Sequence, residues 1–188
     1  MKKISLLFLV ILFTQTVYSQ SAVTISPKIS IDLLGNHSAK ILSQSGDLDV
    51  NSALTFGVEF SKKTTNTFVL GAGVSYLMDR EQEIKGSGNF NFVPIYAIGR
   101  IQIGNTEDSV IPSIVGNIGY NILFTGDSSY RGKASLKGGI YFAAGLRLEF
   151  SMIFIEGLYK SFQGSATISS IEIDVNYTTL SIGAGLML

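Results

Sequence analysis

Tyr177-Thr178-Thr179-Leu180-Ser181-Ile182-Gly183-Ala184-Gly185-Leu186-Met187-Leu188 closes the sequence. From Leu180 onward every even position is apolar, while the odd positions from Tyr177 read Tyr, Thr, Ser, Gly, Gly and Met. A period of two belongs to a β-strand with one apolar face. The sequence stops on that face, at Leu188, without a polar tail.

The same rhythm recurs upstream. Alternating segments fall at about Ala22–Leu34, Ser52–Ser61, Thr67–Leu77, Asn91–Ile103, Val110–Leu123, Gly138–Phe150, Met152–Phe162 and Val175–Leu188. The connections between them alternate in length. Gly35–Asn51, Met78–Phe90, Phe124–Lys137 and Gln163–Asp174 are long, whereas Lys62–Asn66, Gly104–Ser109 and Ser151 are short. Chance rarely sets seven connections in strict alternation. Short turns on one side and long loops on the other describe an up-and-down transmembrane barrel, with both termini on the short-turn side. The predicted fold class is all-β, an eight-stranded antiparallel up-and-down transmembrane β-barrel.

Composition agrees with a β fold. The chain has 20 Gly, 12 Phe and 8 Tyr but only 3 Pro, and 46% of its residues are hydrophobic. With no cysteine it has neither a disulfide framework nor a lipoprotein attachment site. Lys2 and Lys3 precede an unbroken apolar run, Leu6–Phe13, and then Val17-Tyr18-Ser19 and Gln20. This predicts a signal peptide over residues 1–19, cleaved after Ser19, ahead of a single barrel domain over 20–188. The run is too short to cross a bilayer as a helix, which needs about 20 residues. Without the leader lysines 12 basic face 14 acidic side chains, a net of −2 that offers no field for nucleic acid.

Strand parity separates two faces. One carries residues such as Ile29, Ile31, Phe56, Phe60, Leu70, Tyr76, Ile95, Ile118, Phe142 and Leu146; the other carries the charges. Segment seven is the least clean, because Phe154 and Leu158 fall with the charges. A soluble lipocalin-type barrel would turn the apolar face inward. Two features oppose that. The charged face is rich in glycine (Gly57, Gly71, Gly73, Gly119, Gly145, Gly183, Gly185), as a narrow interior holding large Arg and Tyr side chains requires. The aromatics of the apolar face gather towards strand ends, Phe60, Phe68 and Phe150 by the short turns and Tyr76, Tyr120 and Tyr159 nearer the long loops, as two membrane interfaces demand. Pro27, Pro94 and Pro112 lie towards strand ends, and Pro27 is the expected site of a bulge.

The inward charges are Lys28, Asp32, Glu59, Arg100, Arg147, Glu149, Glu156 and Lys160, four of each sign. An ion in so narrow a space must be paired and hydrogen-bonded, since desolvating it alone costs several kcal/mol. The balance predicts a salt-bridge network that plugs the barrel. The alternative is a narrow, porin-like ion or small-solute channel, with a proton or ion path through the same charges and Glu59 and Arg100 controlling conductance.

For catalysis the inventory is thin. The single histidine, His37, adjoins Ser38, but neighbours on an extended strand point to opposite faces. A lipid-modifying enzyme dependent on His37 is the remaining catalytic alternative. Asp47-x-Asp49-x-Asn51 opens like a calcium loop, yet Ser52 replaces the required Gly and Val58 the bidentate Glu, so a solvated loop is expected and neither metal nor cofactor. The segments from Asp79 to Gly88 and from Gly126 to Arg131 read as solvated hairpin tips. Thr167–Val175 differs. Ile168, Ile171, Ile173 and Val175 make it strand-prone, so the last hairpin is expected to continue beyond the membrane and offer edges to a partner.

The leader, the eight amphipathic strands, the texture of Leu70-Gly71-Ala72-Gly73-Val74-Ser75-Tyr76 and Ile182-Gly183-Ala184-Gly185-Leu186, and the terminal strand together resemble the outer membrane protein beta-barrel domain family, the small OmpA/OmpX-like and PorT-like barrels. The resemblance implies residence in the bacterial outer membrane among lipid and lipopolysaccharide, as a monomer. It also implies recognition by the barrel assembly machinery through Tyr177–Leu188, although Leu188 stands where the family commonly ends in Phe. The function these readings favour is a structural or surface-interaction role through the outer loops, towards an extracellular protein or glycan, without catalysis.

Overall fold

The computed structural model describes residues 23–41, 44–50, 52–78, 90–104, 109–125, 134–168 and 171–188. The leader, 79–89 and 126–133 lie outside them, and so do the expectations attached to those segments. Within them the elements are β1 (Val23–Ile41), β2 (Gln44–Val50), β3 (Ala53–Lys63), β4 (Phe68–Leu77), β5 (Phe90–Gln102), β6 (Ile111–Thr125), β7 (Ala134–Phe150), β8 (Ile153–Ile168) and β9 (Ile171–Leu186). All pairings are antiparallel between consecutive neighbours, and β9 returns to β1 from Lys28↔Gly185 to Lys40↔Asp174. Below that ladder the Ile25 and Leu188 amides donate to each other's carbonyls at 3.0 and 2.9 Å. Nine strands make eight staves. β2 and β3 both pair with β1, β2 along Gly35–Ile41 and β3 along Val23–Asp32.

Four boundaries differ from the sequence expectation, and for one reason. β1 runs on to Ile41 and returns as β2, so much of 35–51 is hairpin; β7 begins at Ala134, β8 continues to Ile168 and β9 starts at Ile171. Beyond the lipid layer the outer face of a strand no longer meets hydrocarbon, so hydrophobic alternation fades while the hydrogen-bond ladder goes on. Asp47 and Asp49 accordingly sit in strand β2 opposite Ser38 and Asn36, not in a loop. The continuation of the last hairpin is as expected, closing with Ile168↔Ile171.

Two irregularities reset the parity. A bulge in β1 between Leu33 and Gly35 leaves Leu33 exposed and Gly35 buried, and a second shift separates Gly138 from Tyr141 in β7. Pro27 is not the bulge: its ladder runs unbroken through Pro27↔Val58. Pro94, fully buried and the fifth residue of β5, does interrupt pairing, for the β4–β5 ladder lapses between Val74↔Ile95 and Leu77↔Phe92. A proline has no N–H to give that ladder. The two-residue turn after β7 is made possible by Ser151 at φ 53°, the left-handed region that tight hairpins use.

Burial is inverted relative to a protein in water. Ile118 is 66% exposed, Leu146 62% and Ile182 57%, while Asp32, Glu59 and Arg147 are all buried to 1% exposure or less. A surface of Ile, Leu and Phe around a polar interior is stable only where the outside is hydrocarbon. The barrel is therefore transmembrane, with the apolar side chains as its lipid face. Placing an arginine at that face, Ile118→Arg in the middle of β6, is expected to lower unfolding free energy in bilayers by about 2–4 kcal/mol. Denaturant titration reads the loss, and an unchanged value would put this face in water.

Candidate functional site

The interior is the only place where the described residues concentrate chemistry, and it is layered. Nearest the short turns, the Arg100 guanidinium donates to Glu149, and its Nη2 donates to Ser61 Oγ at 3.1 Å. Gln102 Nε2 reaches the other Glu149 oxygen at 3.0 Å. The next layer is a ring of four charges. Lys28 Nζ lies 2.5 Å from Glu59 and 2.8 Å from Glu156, and Arg147 Nη2 lies 2.7 Å from Glu59 and 2.5 Å from Glu156. Arg147 Nε adds a bond of 3.0 Å to Glu156, while its guanidinium stacks 3.9 Å above the Phe154 ring. Higher still, Lys160 Nζ donates to Asp32 at 2.9 Å and to Ser30 at 3.1 Å, and Thr55 donates to the second Asp32 oxygen at 3.0 Å.

Strand order gives these contacts their meaning. β3 and β7 are four staves apart in a ring of eight, so the Arg147–Glu59 pair crosses the full width of the lumen. Each of the four bases touches at least one of the four acids, and each layer is neutral. Neutral layers are what the interior must have, because an unpaired ion there would cost several kcal/mol.

Above the charges lies a layer that charge-counting misses. Phe92, Tyr96, Tyr141, Phe162 and Tyr177 are buried inside the outer half, with ring centroids between 5.1 and 6.2 Å apart, and Leu77, Leu123, Ala53 and Ala166 complete the cluster. Its signal is present in the parity, since Tyr141 lies in step with Arg147, Tyr96 with Arg100 and Phe162 with Lys160. Phe154 and Leu158, the residues that blur segment seven, are indeed inside, at 0% and 2% exposure.

The inward glycines are seats for this interior. A Cβ on Gly73 would stand 2.7 Å from the ring of Tyr96, its direct partner across the β4–β5 ladder. Held flat there, Tyr96 lies 3.0 Å from Ser75 Oγ and donates to Glu59 at 3.3 Å, which ties the aromatic layer to the ion ring. Gly185 seats Phe154 in the same way, since a Cβ there would run into that ring.

The closed antiparallel barrel has known counterparts in fold. Across 90% of this chain and 97% of the other, it superposes on the outer membrane protein OprG from Pseudomonas aeruginosa with a TM-score of 0.63 at 13% identity. Neisserial surface protein A matches with a TM-score of 0.52 at 13% identity, covering 87% of this chain and 97% of that one. The fold is that of a small outer-membrane β-barrel. No protein-family model matches the sequence, and no curated protein does. At these identities the barrel shares an architecture with its counterparts, and any activity must be argued from its own side chains.

On that inventory, His37 and Ser38 fall in the outer part of β1, opposite Leu48 and Asp47, beyond the residues whose side chains are described. Among the described residues no group of three His, Asp or Glu side chains is disposed to hold a metal.

Proposed function

We propose that this is a bacterial outer-membrane protein with a plugged lumen that works by presenting β-structure on the cell surface, without catalysis. The observation that carries the reading is the outer wall. β1 is 19 residues long and β7, β8 and β9 are 16 or 17, while a tilted strand crosses a membrane in about 9–11. The excess pairs laterally in the order β2-β1-β9-β8-β7, a five-stranded sheet continuing one side of the barrel. Among the described residues, β2 has no partner on its far side, and β7 above Gly139 has none on the β6 side. Unpaired strand edges accept an extended segment of another protein by main-chain hydrogen bonding. The interior supports the same reading, because charges already satisfied by each other and a cross-lumen ion pair suit a scaffold better than a conduit.

The test is to replace 164–173 by a tight turn. The barrel is expected to stay folded, judged by a gel mobility that changes on boiling, and cross-links from the β7 edge to surface partners on intact cells are expected to vanish. Cross-links from that edge retained after the replacement, or made only to glycan, would overturn binding of a protein there. In planar bilayers the wild-type protein is expected to give no resolved current steps; a steady conductance would replace this reading with that of a narrow channel.

A further inference from the structure

The ion ring is assembled from the two ends of the chain. Lys28 and Glu59 come from β1 and β3, adjacent staves, and Arg147 and Glu156 are direct partners in the β7–β8 ladder. Each hairpin thus holds a neutral pair of its own. The remaining contacts, Lys28–Glu156 at 2.8 Å and Arg147–Glu59 at 2.7 Å, join one hairpin to the other. Between them lies β9, the strand that closes the barrel, and at this level it has no inward side chain: Gly183 faces Ser30 and Glu156, and Gly185 faces Lys28 and Phe154. The charges of β1 and β8 meet over bare backbone.

We propose that this ring is a register clasp, which selects the one β1–β9 pairing that closes the barrel correctly. Backbone hydrogen bonds do not distinguish registers, and only a slip by an odd number of residues is opposed by the hydrophobic pattern, since it turns every side chain to the wrong face. A slip by two residues keeps Ile29, Ile31, Ala184 and Leu186 towards lipid. It moves β1 past β9 by about 6.7 Å, twice the rise per residue. That shift separates Lys28 from Glu156 beyond any ion pair and leaves both hairpins' charges facing the wrong neighbours. The register of this seam fixes the stagger of the whole barrel, so the clasp, with the Lys160–Asp32 pair that spans the same seam one layer up, decides between closed forms of like hydrophobic pattern.

Charge inversion isolates the inter-hairpin contacts. In R147E/E156R the β7–β8 pair survives with reversed sign, but the acid now on β7 faces Glu59 and the base now on β8 faces Lys28. The seam itself is read by disulfide trapping, which has no background because the chain lacks cysteine. Ile29→Cys with Ala184→Cys reports the native register, in which these lipid-facing residues are direct partners, and Ile29→Cys with Leu186→Cys reports the slip. The wild-type background is expected to trap only the native pair. R147E/E156R is expected to lose that product by about tenfold or more, as a lost ion pair of this kind commands, to the slipped pair; loss only to an unclosed form without the heat-dependent gel shift would overturn the clasp. Adding K28E/E59K, which restores every opposite-charge contact, is expected to recover the native product. Native trapping undiminished in R147E/E156R, or no recovery in the fourfold variant, would overturn the clasp.

Discussion

An Arg147→Met barrel is expected to lose about 3–5 kcal/mol of unfolding free energy, the usual result of removing one member of a buried ion pair. Arg147 is 1% exposed and serves two carboxylates at once. Methionine keeps much of the volume and retains contact with the Phe154 ring through its sulfur, so packing changes little. What changes is charge: Glu59 and Glu156 are left to share Lys28. Unit charges 4 Å apart at an effective dielectric of about 20 interact by about 4 kcal/mol, so two carboxylates on one ammonium repel appreciably. Removing an acid with the base relieves this. Arg147→Met combined with Glu156→Leu leaves one base with one acid, and is expected to be less destabilised than Arg147→Met alone. The measurement is urea unfolding in micelles, followed by gel mobility or circular dichroism because the chain has no tryptophan. A double variant as weak as the single would assign the loss to packing.

The same residues show what can be read from the amino-acid order. Parity alone assigns Ile118 outward and Arg147 inward, because within a membrane the two faces of a strand meet different solvents and the alternation cannot lapse. Parity does not say which charge meets which. Glu59 and Arg147 are 88 residues apart and lie on opposite staves, so their contact depends on the stagger of the closed ring, a property of no local segment. The outer ends escape a periodicity reading for the complementary reason. From Gly35 to Ile41 the bulge shifts the phase and the apolar alternation lapses, so nothing in the residue order marks a strand that the ladder nonetheless continues. The aromatic layer is legible in parity but easily passed over, since Tyr141 and Phe162 share the parity of their charged neighbours while resembling the lipid-facing residues in kind.

That layer supplies the second large effect. Phe162→Ala is expected to cost about 3–5 kcal/mol, the range for deleting a fully buried phenylalanine from a packed core. Phe162 is 1% exposed, with ring centroids 5.4 Å from Phe92, 5.1 Å from Tyr141 and 5.6 Å from Tyr177. Such aromatic pairs add about 0.5–1.5 kcal/mol each beyond the area they bury. Three of them end on one ring, from β5, β7 and β9, so its loss loosens staves that share no ladder with one another. The control is Ile118→Ala on the lipid face, expected to cost much less, because acyl chains refill the space a lipid-facing side chain vacates whereas nothing apolar refills the lumen. In a water-soluble protein the order would be set by burial alone; here two large apolar residues differ because one faces hydrocarbon and the other faces its own kind inside the barrel. Comparable losses for the two variants, measured by urea unfolding in the same bilayer, would mean that the inner rings contribute no more than a lipid contact does.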